Sequence, residues 1–191
     1  AERFRRPIVT LIDTPGAFPG LAAEERGIGE AIARNLREFS TLRTPVICII
    51  IGEGGSGGAL GIGIGDRVYM MENSVYSVIS PEGFASILLR DAKKAQLAAG
   101  LMKMTAPDLM EFGIVDGVIP EPGEGAHTDP QTAAAAIRNH ILTAYDELSR
   151  KRVETLLRER SARLLALGRH GGGHERKERG FFSRLFSFGG E

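Results

Sequence analysis

The segment GEGGSGG at residues 52–58 is the densest concentration of chemical opportunity in the chain, and that opportunity lies in its backbone. It follows an apolar run, PVICIII at 45–51, whose β-branched Val46, Ile47, Ile49, Ile50 and Ile51 suit a parallel strand buried on both faces. Gly52, Gly54, Gly55, Gly57 and Gly58 then predict a tight turn into a short helix, with main chain that no Cβ shields from a ligand. The first N–H groups of a helix have no partner inside it and stand at the positive end of its dipole. They are therefore donors for a negatively charged oxygen.

Other patterns overlap in the same segment. Gly52, Gly54 and Gly57 match a dinucleotide fingerprint, but a glycine-dense stretch produces that match by chance and no second mononucleotide half follows. Gly54-x-Ser56-x-Gly58 matches a nucleophile elbow, yet His127, His140, His170 and His174 all lie beyond the core, so Ser56 has no evident base and reads as a small turn residue. Asp13-Thr14-Pro15-Gly16 resembles a phosphate-sensing loop without the lysine-bearing loop that would cradle phosphate. Glu53 and Glu82 stand in turns near strand ends, as acid/base candidates or as solvated, orienting carboxylates. No His, Cys, Asp or Glu cluster has zinc spacing, and no metal is expected. What remains is a site rich in aimed amides, suited to stabilising an enolate or similar oxyanion while the reactants carry their own acid and base.

The elements that must hold these groups are legible as patterns. Residues 7–12 (PIVTLI) predict a second buried strand, ended by the turn chemistry of residues 13–16, at the carboxyl end where open α/β sheets place ligands. Residues 24–42 carry Ile28, Ala31, Ile32, Leu36 and Phe39 at helical spacing. A short helix is expected over 57–65, where Gly61, Gly63 and Gly65 each cost roughly 1 kcal/mol relative to Ala, so something must approach closely. Short strands follow at 66–72 and 74–79, and residues 80–83 turn the chain into helices over 84–101. Another helix is capped at Thr105 with Pro107 in its first turn, a last strand covers 114–119, and one long helix runs from 130 to 167. No internal repeat stands out.

Composition bounds the class. At 191 residues and 42% hydrophobic, the chain holds one domain plus an appendage. Lys and Arg equal Asp and Glu at 24 each, so nothing in the charge recommends nucleic acid as a partner. The single Cys48 lies within the apolar strand and predicts a buried thiol in a reducing compartment, and without a signal peptide or spanning segment the default location is cytoplasmic. The chain lacks an initiator Met and opens on AERFRR running straight into a strand, which predicts the C-terminal part of a longer protein.

Long motifs go further. IDTPGAFPG (12–20), AEERG (23–27), EAIARNLREFS (30–40), IGEGGSGGALGIG (51–63), YSVISPEGFASIL (76–88) and IPEPGEGAH (119–127) resemble, in order, the carboxyltransferase α subunit of bacterial multi-subunit acetyl-CoA carboxylase. The resemblance covers about residues 7–145. It implies an α/β, crotonase-like superhelix of ββα units over residues 1–125, incomplete at its N-terminus, then a C-terminal helical extension over 126–170 dominated by the long helix. A flexible linker and tail would occupy 171–191, where Phe181, Phe182, Leu185 and Phe186 could form an apolar helical face, although a disordered end is the simpler reading.

The implied reaction moves a carboxyl group from carboxybiotin, borne on a carrier protein, to acetyl-CoA, giving malonyl-CoA for fatty acid synthesis. In that reading the amides of Gly57 and Gly58 hold the biotin ureido oxygen as CO₂ leaves, and the biotin ring nitrogen takes the acetyl proton. Gly54, Gly55, Ser56, Gly16, Ala17, Ser80, Pro81, Glu82 and Gly83 are expected to line the substrate site. The implied partners are a zinc-containing carboxyltransferase β subunit, in an α2β2 assembly, the biotin carboxyl carrier protein and biotin carboxylase. Serine peptidases of the same superfamily carry a His after the strand that follows the glycine helix. Here that place reads Val78-Ile79-Ser80-Pro81. The alternative within this fold is a CoA-thioester hydratase or isomerase using Glu53 or Glu82.

Overall fold

A computed structural model describes residues 1–168. It is built on a parallel sheet of five strands, β1 (Ile8–Thr14), β2 (Val46–Gly55), β3 (Arg67–Met71), β4 (Val75–Ser77) and β5 (Gly117–Ile119), in the order β1-β2-β3-β5 with β4 also on β2. β2 is the centre because every side chain from Val46 to Ile50 is fully buried. Each such burial stabilises by about 1.5–3 kcal/mol. Alternation sends Val46, Cys48 and Ile50 to one face, against Ile12, Val68, Met70, Ala59 and Leu109, and Ile47 and Ile49 to the other, against Met71, Ile119, Ala133, Ala144, Leu148 and Leu156.

Helices pack on both faces. α1 (Leu21–Glu25) and α2 (Ile28–Thr41) follow β1, α3 (Ser56–Leu60) follows β2, and α4 (Pro81–Leu88), α5 (Ala95–Met102) and α6 (Ala106–Glu111) separate β4 from β5. α2, α3 and α6 pack on the first face, while α4 and α5 pack on each other. α7 (Pro130–Ser149) and α8 (Val153–Ala166) bury their apolar stripes on the second face. β2 is long enough to pair first with β3, Ile47 to Ile50 opposite Arg67 to Met70, and then with β4, Glu53 to Gly55 opposite Val75 to Ser77. That succession of two short strands along one long one is the ββα arrangement expected.

Several boundaries differ from the sequence pattern. The glycines at 52–55 do not form a loop: β2 continues through them, and the chain turns at Ser56 in a left-handed conformation, φ 51°. α3 stops at Leu60, short of Gly65, and what packs on the later glycines is the protein itself. A Cβ at Gly63 would lie 2.9 Å from the Ala59 carbonyl, and one at Gly65 would lie 2.7 Å from the Cys48 sulfur. The helix expected over 24–42 is split at Gly27, φ 74°. Residues 80–83 are not a free turn but the cap and first turn of α4, and the helical stretch expected to 101 breaks at the 3-10 turn Ala92–Lys94. The long C-terminal helix is present as α7, but the chain breaks at 150–152 before α8. The 171–191 tail, with its phenylalanines, lies outside the described residues.

α8 is fastened by a buried ion pair that the sequence did not advertise. Arg160 is 1% exposed, and its Nε and Nη2 donate to the two Asp66 carboxylate oxygens at 2.8 and 2.7 Å. Its remaining N–H groups donate to the carbonyls of Phe39, Leu42 and Thr44 at 2.8, 2.8 and 2.9 Å, tying α8 to the end of α2. One turn later Arg163 pairs with Asp116 at 3.1 Å. Each aspartate precedes a strand and accepts a strand N–H, Val46 to Asp66 at 2.8 Å and Val68 to Asp116 at 2.7 Å. The device recurs as Asp66-Arg67-Val68 and Asp116-Gly117-Val118.

Candidate active site

The carboxyl ends of β1 and β2 meet where the glycine segment enters α3. As second and third residues of α3, Gly57 and Gly58 have no carbonyl four residues back inside the helix. Among the described residues, no side chain and no loop carbonyl accepts from either N–H. Ser56 is left-handed and the residue after it helical, a succession of backbone conformations from which anion nests are built. Both glycines are half-buried.

The loop after β1 is packed backbone to backbone against this corner. A Cβ at Gly55 would lie 2.1 Å from the Pro15 carbonyl oxygen, and one at Gly58 would lie 2.8 Å from the Gly16 carbonyl carbon and 2.9 Å from the Ala17 nitrogen. A Cβ at Gly16, which sits at φ 140°, would lie 3.3 Å from Ser56 Cβ. Gly54, Gly55, Ser56, Gly57, Gly58, Gly16 and Ala17 therefore come together in space. Ser80, Pro81, Glu82 and Gly83 serve instead as a helix cap, the Gly83 N–H donating to Ser80 Oγ at 3.2 Å. They adjoin the site through their chain neighbours Val78 and Phe84.

Beside Gly57 opens a cavity of about 490 Å³ with apolar walls. Leu60, Tyr76, Val78, Phe84, Met102 and Leu109 contribute to it, and Lys103 brings a cation to its lining. These side chains come from four helices and a strand end, so no local pattern in the sequence marked them. Burial raises the Tyr76 phenol above its ordinary pKa and keeps it protonated. Lys103 is left-handed, φ 52°, and pairs with Asp108 at 3.4 Å. Neither carboxylate considered as acid or base enters the cavity: Glu53 is exposed at the end of β2, and Glu82 is exposed in the first turn of α4. Cys48 is fully buried and its thiol is pushed up to about 11, chiefly by desolvation, which makes it an inert core residue. No group of three metal-ligating side chains occurs among the described residues, and no described helix is long and apolar enough to cross a membrane.

This arrangement has relatives. The family described as acetyl co-enzyme A carboxylase carboxyltransferase-like matches residues 1–168. The chain belongs to this family. It is 58% identical over 170 residues to the acetyl-coenzyme A carboxylase carboxyl transferase subunit alpha of Treponema denticola, covering 89% of this chain and 56% of that protein. The protein of the same description from Edwardsiella ictaluri is 60% identical over 168 residues, covering 88% of this chain and 53% of that one. The chain thus spans about half the length of the curated relatives it matches. Among solved structures, the transcarboxylase 12S core superposes with a TM-score of 0.65 at 27% identity, over 79% of this chain and 29% of that one. The Pseudomonas malonate decarboxylase MdcD-MdcE hetero-dimer superposes at 0.67 and 22% identity, over 85% and 66%. A probable enoyl-CoA hydratase from Mycobacterium thermoresistibile shares the fold at 0.52 and 18% identity. The crotonase-like architecture of this carboxyltransferase-like chain is therefore the one its motifs implied, and its sequence kinship lies with carboxyltransferases rather than hydratases.

Proposed function

We propose that this chain forms the carboxyl-donor side of a carboxyltransferase, moving a carboxyl group from carboxybiotin on a carrier protein to acetyl-CoA to give malonyl-CoA, in partnership with a β subunit. The observation that carries this reading is the pair of unpartnered N–H groups at Gly57 and Gly58, set beside an apolar cavity in a chain of this family. The residues present fit a bicyclic apolar ring with one polar carbonyl: amides for the oxygen, and Leu60, Phe84 and Met102 for the ring walls. When bound, the biotin ring supplies the transferable carboxyl group and a nitrogen able to take a proton.

The chain's own part is electrostatic and steric. The two amides donate to the oxygen on which negative charge develops, from positions fixed before the reaction begins. Ser56 turns the chain at their start, the Pro15–Ala17 backbone packs against Gly55 and Gly58, and the apolar walls beside Gly57 lower the local dielectric and so strengthen its hydrogen bond. No carboxylate in this lining acts as base. The transcarboxylase core was crystallised with methylmalonyl-coenzyme A bound, in keeping with an acyl-CoA acceptor here. The exposed Val78, Ile87, Leu88 and Leu97 around α4 and α5 supply apolar surface suited to a partner subunit.

The test is to express the full-length α subunit with its β partner and follow malonyl-CoA formation from a carboxylated carrier and acetyl-CoA. Formation that requires both subunits and persists in Glu53→Gln is the expected result. Hydration of an enoyl-CoA by the α subunit alone, lost in Glu53→Gln, would replace this reading with the hydratase.

A further inference from the structure

β1 and β2 run in register from Ile8↔Val46 to Ile12↔Ile50, but the next pair is Thr14↔Gly54. A single residue, Asp13, thus stands opposite three of β2, which arches outward by two extra residues before rejoining. The arch takes N–H groups away from the β1 ladder, and the Asp13 side chain answers one of them: the Glu53 N–H donates to Asp13 Oδ1 at 2.9 Å. Gly52 is glycine for the same reason. A Cβ there would fall 2.6 Å from Asp13 Oδ1 and 3.1 Å from its carboxyl carbon. Immediately beyond the arch, Gly55 and Gly58 meet the Pro15–Ala17 backbone, and the Gly57 and Gly58 amides follow.

We propose that Asp13 is a positioning residue for the two amide donors: by holding the arch through Glu53 it sets the register in which the β1 loop and α3 meet. This rests on the function proposed above for those donors. Asp13 is exposed and contributes nothing to the apolar core, so its replacement disturbs the arch and not the sheet. What matters is an acceptor oxygen at Oδ1, not a negative charge, and the structure supplies two independent ways to remove it.

In the full-length α subunit assembled with its β partner, Asp13→Ala is expected to lower kcat of carboxyl transfer by roughly 10² with KM for acetyl-CoA unchanged, the usual scale for a donor displaced by about an ångström. Asp13→Asn keeps the acceptor and restores most of the rate. Gly52→Ala drives the carboxylate away and reproduces Asp13→Ala, and the double variant is no slower than either single one. Amide exchange of the 50–60 segment, read by mass spectrometry, speeds up in Asp13→Ala and Gly52→Ala and stays slow in Asp13→Asn. Wild-type kcat in Asp13→Ala, or a loss in Asp13→Asn as large as in Asp13→Ala, overturns the proposal. An assembly in which wild type transfers no carboxyl group refutes the functional reading instead. The exchange pattern then decides on Asp13 by itself, unchanged exchange in Asp13→Ala ruling it out.

Discussion

Gly58 has no room for a side chain, and the obstruction is backbone. Gly58→Ala places a methyl 2.8 Å from the Gly16 carbonyl carbon, which cannot rotate aside, so the loop or α3 must shift. Thermal or denaturant unfolding should show a loss of about 1–3 kcal/mol, the scale of overpacking. An unchanged midpoint would mean the loop yields freely and does not hold α3. Gly57 differs, since its added Cβ meets only the end of the Ile32 side chain at 3.2 Å, which makes Gly57 the better place to remove a donor. Cys48 offers a prediction in pH. Its folded thiol titrates near 11 against an ordinary 9.0, so the folded chain holds the proton longer than the unfolded one. Stability should therefore be intact below pH 9 and fall as pH rises from 9 toward 11, and alkylation at pH 8 should need unfolding. A native protein alkylated quickly at pH 8 would contradict this burial. At this scale the sequence was informative about residue types and silent about neighbours. The glycines were recognisable as close-approach positions, but the approaching groups, Pro15 to Ala17, Asp13 and Cys48, belong to distant segments brought there by the fold.

At the scale of elements, α8 is held by charge as much as by apolar packing. Arg160→Ala leaves Asp66 buried with its guanidinium partner gone and the carbonyls of Phe39, Leu42 and Thr44 each short of a donor. The expected cost is about 3–5 kcal/mol in urea unfolding, the scale for breaking one side of a buried pair. A loss below about 1 kcal/mol would show that water replaces the guanidinium, since that is what a solvent-exposed pair is worth. A second network joins α7 to α8: Lys151 donates to Glu147 at 2.9 Å and to Glu159 at 2.8 Å, and Arg67 also reaches Glu147. Hydrogen bonding to Lys151 lowers the pKa of both glutamates, while Lys151 is raised by the same contacts, Glu159 foremost. The glutamate contribution is present above an ordinary carboxylate pKa and disappears on acidification. The lysine contribution is present below an ordinary ammonium pKa and fades on alkalinisation. Both shrink in salt because the two carboxylates are exposed. This network also explains an illegible boundary. Residues 150–152 are Arg-Lys-Arg, all good helix formers, so nothing in their propensity announces the break that lets one lysine serve a glutamate on each helix. The β2 run and the start of α7 at Pro130 were readable because each is a local pattern, whereas the cap before α7 emerged only in the structure. In the cap, Asp129 accepts from the Gln131 and Thr132 N–H groups at 3.1 Å.

Across the whole molecule, a carboxyltransferase-like chain that spans about half of its curated relatives presents one corner of backbone donors and an apolar cavity beside it. The ordered motifs made the family and the crotonase-like fold legible. The cavity was not, because its walls are drawn a few residues at a time from α3, α4, α5 and α6, from β4 and from the segment after it. The central claim is that an N–H group at the start of α3 stabilises charge on the donor oxygen. Its most direct test is the rate of carboxyl transfer from the carboxylated carrier to acetyl-CoA by the assembled full-length enzyme, wild type against Gly57→Pro, with assembly and helix content verified. A fall of roughly 10² in kcat with assembly intact is predicted from the loss of one such donor, and a variant that transfers at the wild-type rate would contradict the account.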